Sequence, residues 1–306
     1  MADNTINNLI KLARPNHWIK NIFVMAPAFF AGTLAEPSVF APVVIATFCF
    51  CLMSSAVYCF NDVRDAAFDR LSLEKCRRPV ASGAVSAGKA TALAIMLVAV
   101  SLTLAILCIN ARLVVILTAY LLINIAYTLY LKHLTLIDIT IIAVGFLLRL
   151  WAGSVAAGCA LSVWIVIVTF LLSLFLGLGK RREDVGYYEE SGVNLRATAA
   201  KYSIKFIDAA LALTGSATVT CYFLYTILPG GSRIITSEYF CISGLPVIVG
   251  ILRYMEICIG SNKGGSHNRL LINDPVILIC IVAYLILFFI CLLYTSPSPR
   301  DYAASR

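Results

Sequence analysis

A chain of 306 residues that is 60% hydrophobic and only 13% charged, with a mean hydropathy of +0.90, departs from an ordinary soluble domain, which is about 45–50% apolar and about 25% charged. Disorder is excluded too, because so much apolar side chain does not stay solvated. The net charge of +8 does not point to nucleic acid, since most cations stand beside apolar runs in short loops, the pattern of cytoplasmic loops in a membrane protein.

In chain order, the first ten residues carry Asp3 and several Asn but no cation, and read as something other than a cleavable signal peptide. Nine apolar runs then reach or approach the roughly 20 residues that span a bilayer as a helix: 21–35, 39–60, 90–109, 112–131, 136–157, 161–179, 206–228, 238–258 and 275–294. The first is short and interrupted by Pro27 and Gly32. Lipid offers no partner to an unpaired amide, so these runs are expected to be helical, and they lack the two-residue alternation of barrel strands. The expected fold is an all-α polytopic membrane bundle of about nine helices, forming a single integral-membrane domain over residues 1–295. Residues 296–306 (SPSPRDYAASR) read as a disordered or artefactual tail.

Eighteen of the 24 Lys and Arg residues fall in the N-terminal segment, 61–89, 132–135, 180–205 and 259–274, against Arg112 and Arg233 on the other side. This bias predicts a cytoplasmic N-terminus. The eleven cysteines contain no CxxC and are expected to be free thiols used as small hydrophobes, with neither a disulfide framework nor a zinc site. The three histidines have no ligand-like spacing, and Gly264-Gly265 lacks a nucleotide-loop context and reads as a turn.

The strongest chemical signal follows the second run: Asn61-Asp62-Val63-Arg64-Asp65-Ala66-Ala67-Phe68-Asp69-Arg70. On a helix, Asn61, Asp65 and Asp69 stand four residues apart and Asp62 lies three before Asp65, so four oxygen-bearing side chains share a face. Like charges at that spacing repel unless a cation sits among them. Hard oxygen donors suit magnesium, commonly held by one or two carboxylates plus substrate phosphate, so these residues are candidate metal ligands and the three aspartates candidate catalytic groups. The plainer alternative is an acidic cap paired with Arg64, Arg70, Arg77 and Arg78. Arg77 and Arg78 are also candidate phosphate ligands, because the guanidinium fork matches phosphate oxygens. Arg149 falls inside a predicted span, where arginine is costly and usually faces the bundle interior, so a phosphate or a carboxylate is its expected partner. Tyr127, Lys132 and Asp138 flank the fifth predicted helix and are candidates for a polar mouth.

These residues resemble the UbiA superfamily of intramembrane prenyltransferases, whose NDxxDxxxD signature is matched by Asn61, Asp62, Asp65 and Asp69. The chain is more narrowly similar to the bacterial decaprenyl-phosphate phosphoribosyltransferase branch, on the run Arg14 to Asn21, NDVRDAAFDR with KCRRPVASG, Tyr127 to Asp138, Gly145 to Arg149, Gly179 to Glu183, and Arg253-Tyr254. The resemblance covers residues 11–294. It implies a UbiA-like bundle with a cytoplasm-facing active site in a bacterial inner membrane, Mg2+ as cofactor, and Lys20 and Asn21 as further substrate contacts. Where prenyltransferases of the superfamily carry a second aspartate-rich motif, this chain reads Lys180-Arg181-Arg182-Glu183-Asp184. Lys180, Arg181, Arg182 and Glu183 are therefore expected to meet a more highly phosphorylated substrate pair: phosphoribosyl pyrophosphate as donor and a polyprenyl phosphate as acceptor, the latter's tail in a lateral groove open to lipid. The alternatives are prenyl transfer from a prenyl diphosphate to an aromatic or quinone-precursor acceptor, and a non-enzymatic transporter.

Overall fold

The computed structural model describes residues 2–70, 75–191, 201–228, 238–260 and 274–295. The tail 296–306, Arg233, His267 and Gly264-Gly265 lie outside these. All regular structure among the described residues is helical: α1 (Ala2–Ala13), α2 (Ala26–Phe30), α3 (Pro37–Asp69), α4 (Ala87–Cys108), α5 (Ala111–Leu129), α6 (Ile137–Ala157), α7 (Val163–Ser191), α8 (Ile204–Ile227), α9 (Gly244–Gly260) and α10 (Pro275–Thr295), with 3-10 turns at Pro15–Val24, Lys75–Arg77, Leu131–His133 and Glu238–Ser243. Among the described residues, eight helices are long and apolar enough to cross a membrane.

The first predicted run does not form a spanning helix. Residues 15–24 are a 3-10 helix opened by Pro15, and the five-residue α2 follows; Gly32 then takes a φ of 70° and turns the chain toward α3. The other eight runs all form helices, α3 and α7 continuing well past their predicted ends, and several helix starts are capped. Ser86 accepts from the Lys89 amide at the start of α4 and Asn110 from the Leu113 amide at the start of α5. Pro37 opens α3 in the first turn, where its missing N–H costs nothing. Asp274 Oδ1 accepts from the Val276 and Ile277 amides to cap α10. The Arg253 guanidinium on the same carboxyl holds it below its ordinary range, those amides contributing and burial opposing.

Two helices outrun the bilayer. α3 has 33 residues, about 50 Å at 1.5 Å per residue, against a hydrocarbon core of about 30 Å, so its last turns carry Asn61 to Asp69 beyond the apolar stretch. α7 has 29 residues, and Lys180 to Glu190 are its helical continuation where a loop from 180 was expected.

The chain forms two compact units, Met1–Lys132 with Gly145–Leu161, and His133–Val144 with Ser162–Arg306; α6 is shared between them. In the first, Leu12 of α1 packs with Cys59 of α3, Val80, Val85 and Ala90, and Ser101 of α4 donates to the buried Cys49 carbonyl of α3 at 2.8 Å. In the second, Ile139, Phe175, Leu178, Ile207, Leu211, Ile251 and Tyr254 make the core. All eleven cysteines are free, and Cys49, Cys51, Cys59, Cys258, Cys280 and Cys291 are buried, as a small-hydrophobe role requires.

Candidate active site

The helical register of α3 delivers the predicted carboxylates to one place in the first unit, where they differ in burial. Asp62 is 1% exposed and Asp69 is 4% exposed, whereas the Asp65 side chain remains 28% exposed. Arg14 Nη2 lies 2.5 Å from Asp62 Oδ1. Arg78 Nη1 lies 3.4 Å from the same oxygen and 2.7 Å from Asp69 Oδ2. Lys132 Nζ lies 2.7 Å from Asp65 Oδ1. Asn61 Oδ1 accepts a short hydrogen bond from the buried Thr128 hydroxyl of α5. Three carboxylates thus face three cations, yet Asp62 Oδ2 is buried without a hydrogen-bond partner, which is costly for a carboxylate oxygen. No group of three or more His, Cys, Asp or Glu side chains forms a ready-made metal cage among the described residues; each acid is tied to a base instead.

The ion pairs differ from the solvated acidic cap considered from the sequence. Asp62 and Asp69 are buried, and of the four arginines then considered only Arg78 reaches them. Arg64 and Arg77 are exposed, and Arg70 Nε donates to the Ala81 carbonyl at 3.1 Å.

Arg14 was not among the residues singled out for the site, though it opens the Arg14 to Asn21 run. Its backbone is left-handed, with φ 52° and ψ 57°, a conformation uncommon for any residue but glycine, Asn or Asp. Ser55 of α3 secures that corner from both sides: its hydroxyl donates to the Ala13 carbonyl at 2.7 Å and accepts from Trp18 Nε1 at 2.9 Å. The Arg14 guanidinium also lies over the Tyr58 ring, 5.3 Å from its centroid.

Arg149 and Asn21 form a second polar centre in this unit. Arg149 is 6% exposed and Asn21 fully buried. Arg149 donates from Nε to Asn21 Oδ1 at 2.9 Å, from Nη1 to the Gly145 carbonyl at 2.7 Å and from Nη2 to the Tyr120 hydroxyl at 3.2 Å, with the rings of Phe50, Tyr120 and Phe146 around it. These protein partners are neutral groups and not the carboxylate that was one of its two expected partners, the other being a phosphate. Asn21 in turn donates to Cys51 Sγ and Ser54 Oγ of α3. Ser54 is eight residues before Asp62, about 12 Å along the helix, so this centre lies deeper than the carboxylates. Lys20 is exposed beside it, and Tyr127 is half-buried on α5, one residue before Thr128.

In the second unit, the cationic motif of α7 is bound mostly to its own protein. Arg181 is 2% exposed and Asp138 is 1% exposed; Arg181 Nε donates to Asp138 Oδ2 at 2.7 Å and Nη1 to Asp184 Oδ2 at 2.8 Å. Tyr202 donates to Asp138 Oδ1 at 2.9 Å while accepting from the Leu136 amide at 2.5 Å. Leu136 is the second non-glycine residue with positive φ, at 65°, so this network also pins the corner entering α6. Burial pushes the Tyr202 hydroxyl up to about 12, the Asp138 carboxylate adding and the Leu136 amide opposing. Arg182 donates to Asp208 Oδ1 and to the Cys258 carbonyl, both at 2.6 Å. Lys180 is exposed and Glu183 half-buried. Tyr202 and Asp208 were not singled out from the sequence, and nothing in the chain order links them to this motif; Asp184 was read only as the end of the motif, although its i,i+3 spacing from Arg181 marks the pair.

Residues 24–270 match the UbiA prenyltransferase family. The chain belongs to that family. Its relatives include proteins named decaprenyl-phosphate phosphoribosyltransferase from Mycolicibacterium smegmatis, 32% identical with 92% of this chain and 91% of that protein aligned, and from Corynebacterium glutamicum, 31% identical over 92% and 85%. A UbiA homolog from Archaeoglobus fulgidus, solved bound to GPP and Mg2+, superposes with a TM-score of 0.69 at 18% identity, covering 93% of this chain and 99% of that one. A homolog from Aeropyrum pernix gives 0.62 at 21% identity, covering 89% and 99%. At such identities the likeness shows the fold. UbiA proteins are enzymes of a transferase family, and this member is an integral membrane protein.

Proposed function

We propose that this UbiA-family protein transfers a 5-phosphoribosyl group from phosphoribosyl pyrophosphate to a polyprenyl phosphate, at the cytoplasmic face of a bacterial inner membrane. The reading is supported by relatives of that name aligned over 92% of the chain. The observation that carries the chemistry is the buried, unpartnered Asp62 Oδ2 on a face of oxygen donors.

Those donors fit magnesium. Asn61, Asp62, Asp65 and Asp69 supply amide and carboxylate oxygens, the ligands of a hard divalent cation, and the unpartnered oxygen is one a cation would satisfy. When bound, the ion would offset the negative charge that develops on a departing diphosphate. The chain's own residues do the rest. Arg78, already bridging Asp62 and Asp69, offers a planar fork to phosphate oxygens. Lys132 beside the partly exposed Asp65 supplies a mobile point charge. In the reaction the bond from C1 of the ribosyl group to the diphosphate oxygen breaks, a bond from C1 to the acceptor phosphate oxygen forms, and pyrophosphate leaves with the bonding pair. The acceptor is already an anion, so no side chain has to remove a proton from it.

The test is direct. Purified protein in lipid nanodiscs is given Mg2+ with radiolabelled phosphoribosyl pyrophosphate and decaprenyl phosphate, and in parallel a prenyl diphosphate with an aromatic acid. A phosphoribosylated lipid of the expected mass is the predicted product. Product only from the prenyl diphosphate would assign the chain to aromatic prenylation instead.

A further inference from the structure

We propose that Arg14 is a resident counter-cation of Asp62 that a divalent cation must displace, so that the chain's own arginine sets the metal affinity of the site. This rests on the magnesium-dependent reading above and adds a residue that the sequence motif does not contain.

Three observations carry it. The first is charge: Asp62, Asp65 and Asp69 are already matched by Arg14, Arg78 and Lys132, so a divalent ion enters a set that is neutral without it. The second is sharing. Both guanidinium groups on Asp62 use Oδ1, Arg14 at 2.5 Å and Arg78 at 3.4 Å, while Oδ2 has no partner. A cation held by Asp62 would stand close to the Arg14 charge on the same carboxylate, and like charges in a partly buried setting repel strongly. Arg78 gives up its longer contact and keeps Asp69 at 2.7 Å. Asp62 is the carboxylate that Arg14 holds, so Arg14 is the cation whose pairing the ion replaces. The third is mechanical. The backbone of Arg14 is fixed in its left-handed corner by Ser55 and Trp18, so exchange is a swing of the side chain, 22% exposed, with the main chain held in place.

The test measures metal binding rather than turnover. Mn2+ is titrated into the substrate-free full-length protein in nanodiscs, and free Mn2+ is followed by electron paramagnetic resonance. Arg14→Gln is expected to bind Mn2+ about tenfold more tightly than wild type or better, through loss of one like charge beside the ion, and Arg14→Lys to stay near wild type. Arg14→Gly also removes the charge, and because glycine adopts φ 52° freely it stays measurable if the glutamine variant misfolds. Adding Asp62→Asn to either neutral variant should abolish the gain. Affinity in the Gln and Gly variants equal to or weaker than wild type overturns the inference. That result alongside phosphoribosyl transfer by wild type leaves the functional reading standing. Tighter binding in a protein that turns over only prenyl diphosphates overturns the reading and leaves the inference.

Discussion

Asp138→Asn separates a structural carboxylate from a substrate-binding one. Asp138 and Arg181 are 1% and 2% exposed and meet at 2.7 Å, while the other Asp138 oxygen accepts from Tyr202. Two unit charges about 4 Å apart at an effective dielectric of about 20 attract by about 4 kcal/mol, and removing one partner of a buried pair costs about 3–5 kcal/mol. Two features reduce this here. Arg181 keeps Asp184 at 2.8 Å, and asparagine retains one acceptor oxygen, although its amide then faces a donor where the second carboxylate oxygen stood. The expected loss is therefore about 2–3 kcal/mol, at or just below the lower limit for a broken buried pair. At about 2–4 °C per kcal/mol for a large domain, Tm should fall by roughly 5–10 °C. Thermal unfolding in detergent, followed by a thiol-reactive dye, reads the shift; donor KM measured well below Tm reads the site. The expected result is a large fall in Tm with KM nearly unchanged. A Tm within about 1 °C of wild type together with a raised KM would show that Asp138 serves the substrate and would refute the structural assignment.

Tyr202→Phe should lower Tm at neutral pH by the equivalent of about 1–2 kcal/mol, since the Leu136 amide and Asp138 lose a partner. Because the hydroxyl is raised to about 12 in the fold from about 10 in the unfolded chain, its stabilising contribution is complete below pH ~10 and is lost as pH rises toward about 12; the Tm difference between wild type and variant should shrink over that window. Asp62→Asn should reduce kcat by about a hundredfold or more if the proposed anionic metal ligand is lost, as read by the radiolabel assay across a Mg2+ titration; near-normal kcat would remove Asp62 from the chemistry. Gly153→Ala should yield little folded protein, because a Cβ there lies 2.8 Å from the Val24 carbonyl carbon and closer still to its oxygen, and overpacking against backbone costs about 1–3 kcal/mol or more; wild-type yield and Tm would contradict the contact. Arg149→Lys keeps the charge but cannot reach Asn21, Gly145 and Tyr120 together, so Tm should fall by the equivalent of about 2 kcal/mol; an unchanged Tm would show that the fork geometry is unimportant.

The two acid–base clusters differ in how much of them could be read along the chain. Asn61, Asp62, Asp65 and Asp69 occupy one helix, so local periodicity alone gathers them, and an apolar run ending at residue 60 places them at its mouth. All eight spanning helices among the described residues were likewise legible, because lipid leaves a long apolar segment no other way to satisfy its backbone. The first run forms no spanning helix: Pro27 and Gly32 interrupt it, and the 3-10 helix that precedes and enters it lets Asn21 reach Arg149. The motif Lys180 to Glu183 had been expected to meet substrate as a group, yet Arg181 and Arg182 are occupied by Asp138, Asp184 and Asp208.

What the sequence by itself determined is whatever depends on neighbours along the chain: helical membrane architecture, the carboxylate face of α3, and the density of cations near it. Which cation meets which carboxylate was decided only by tertiary structure, because those partners are separated by up to 67 residues and their pairing follows from how helices pack, not from residue type. Arg14 on Asp62, Lys132 on Asp65 and Asp138 on Arg181 are all opposite charges a reader of the sequence could list, but only burial and distance turn them into three pairs.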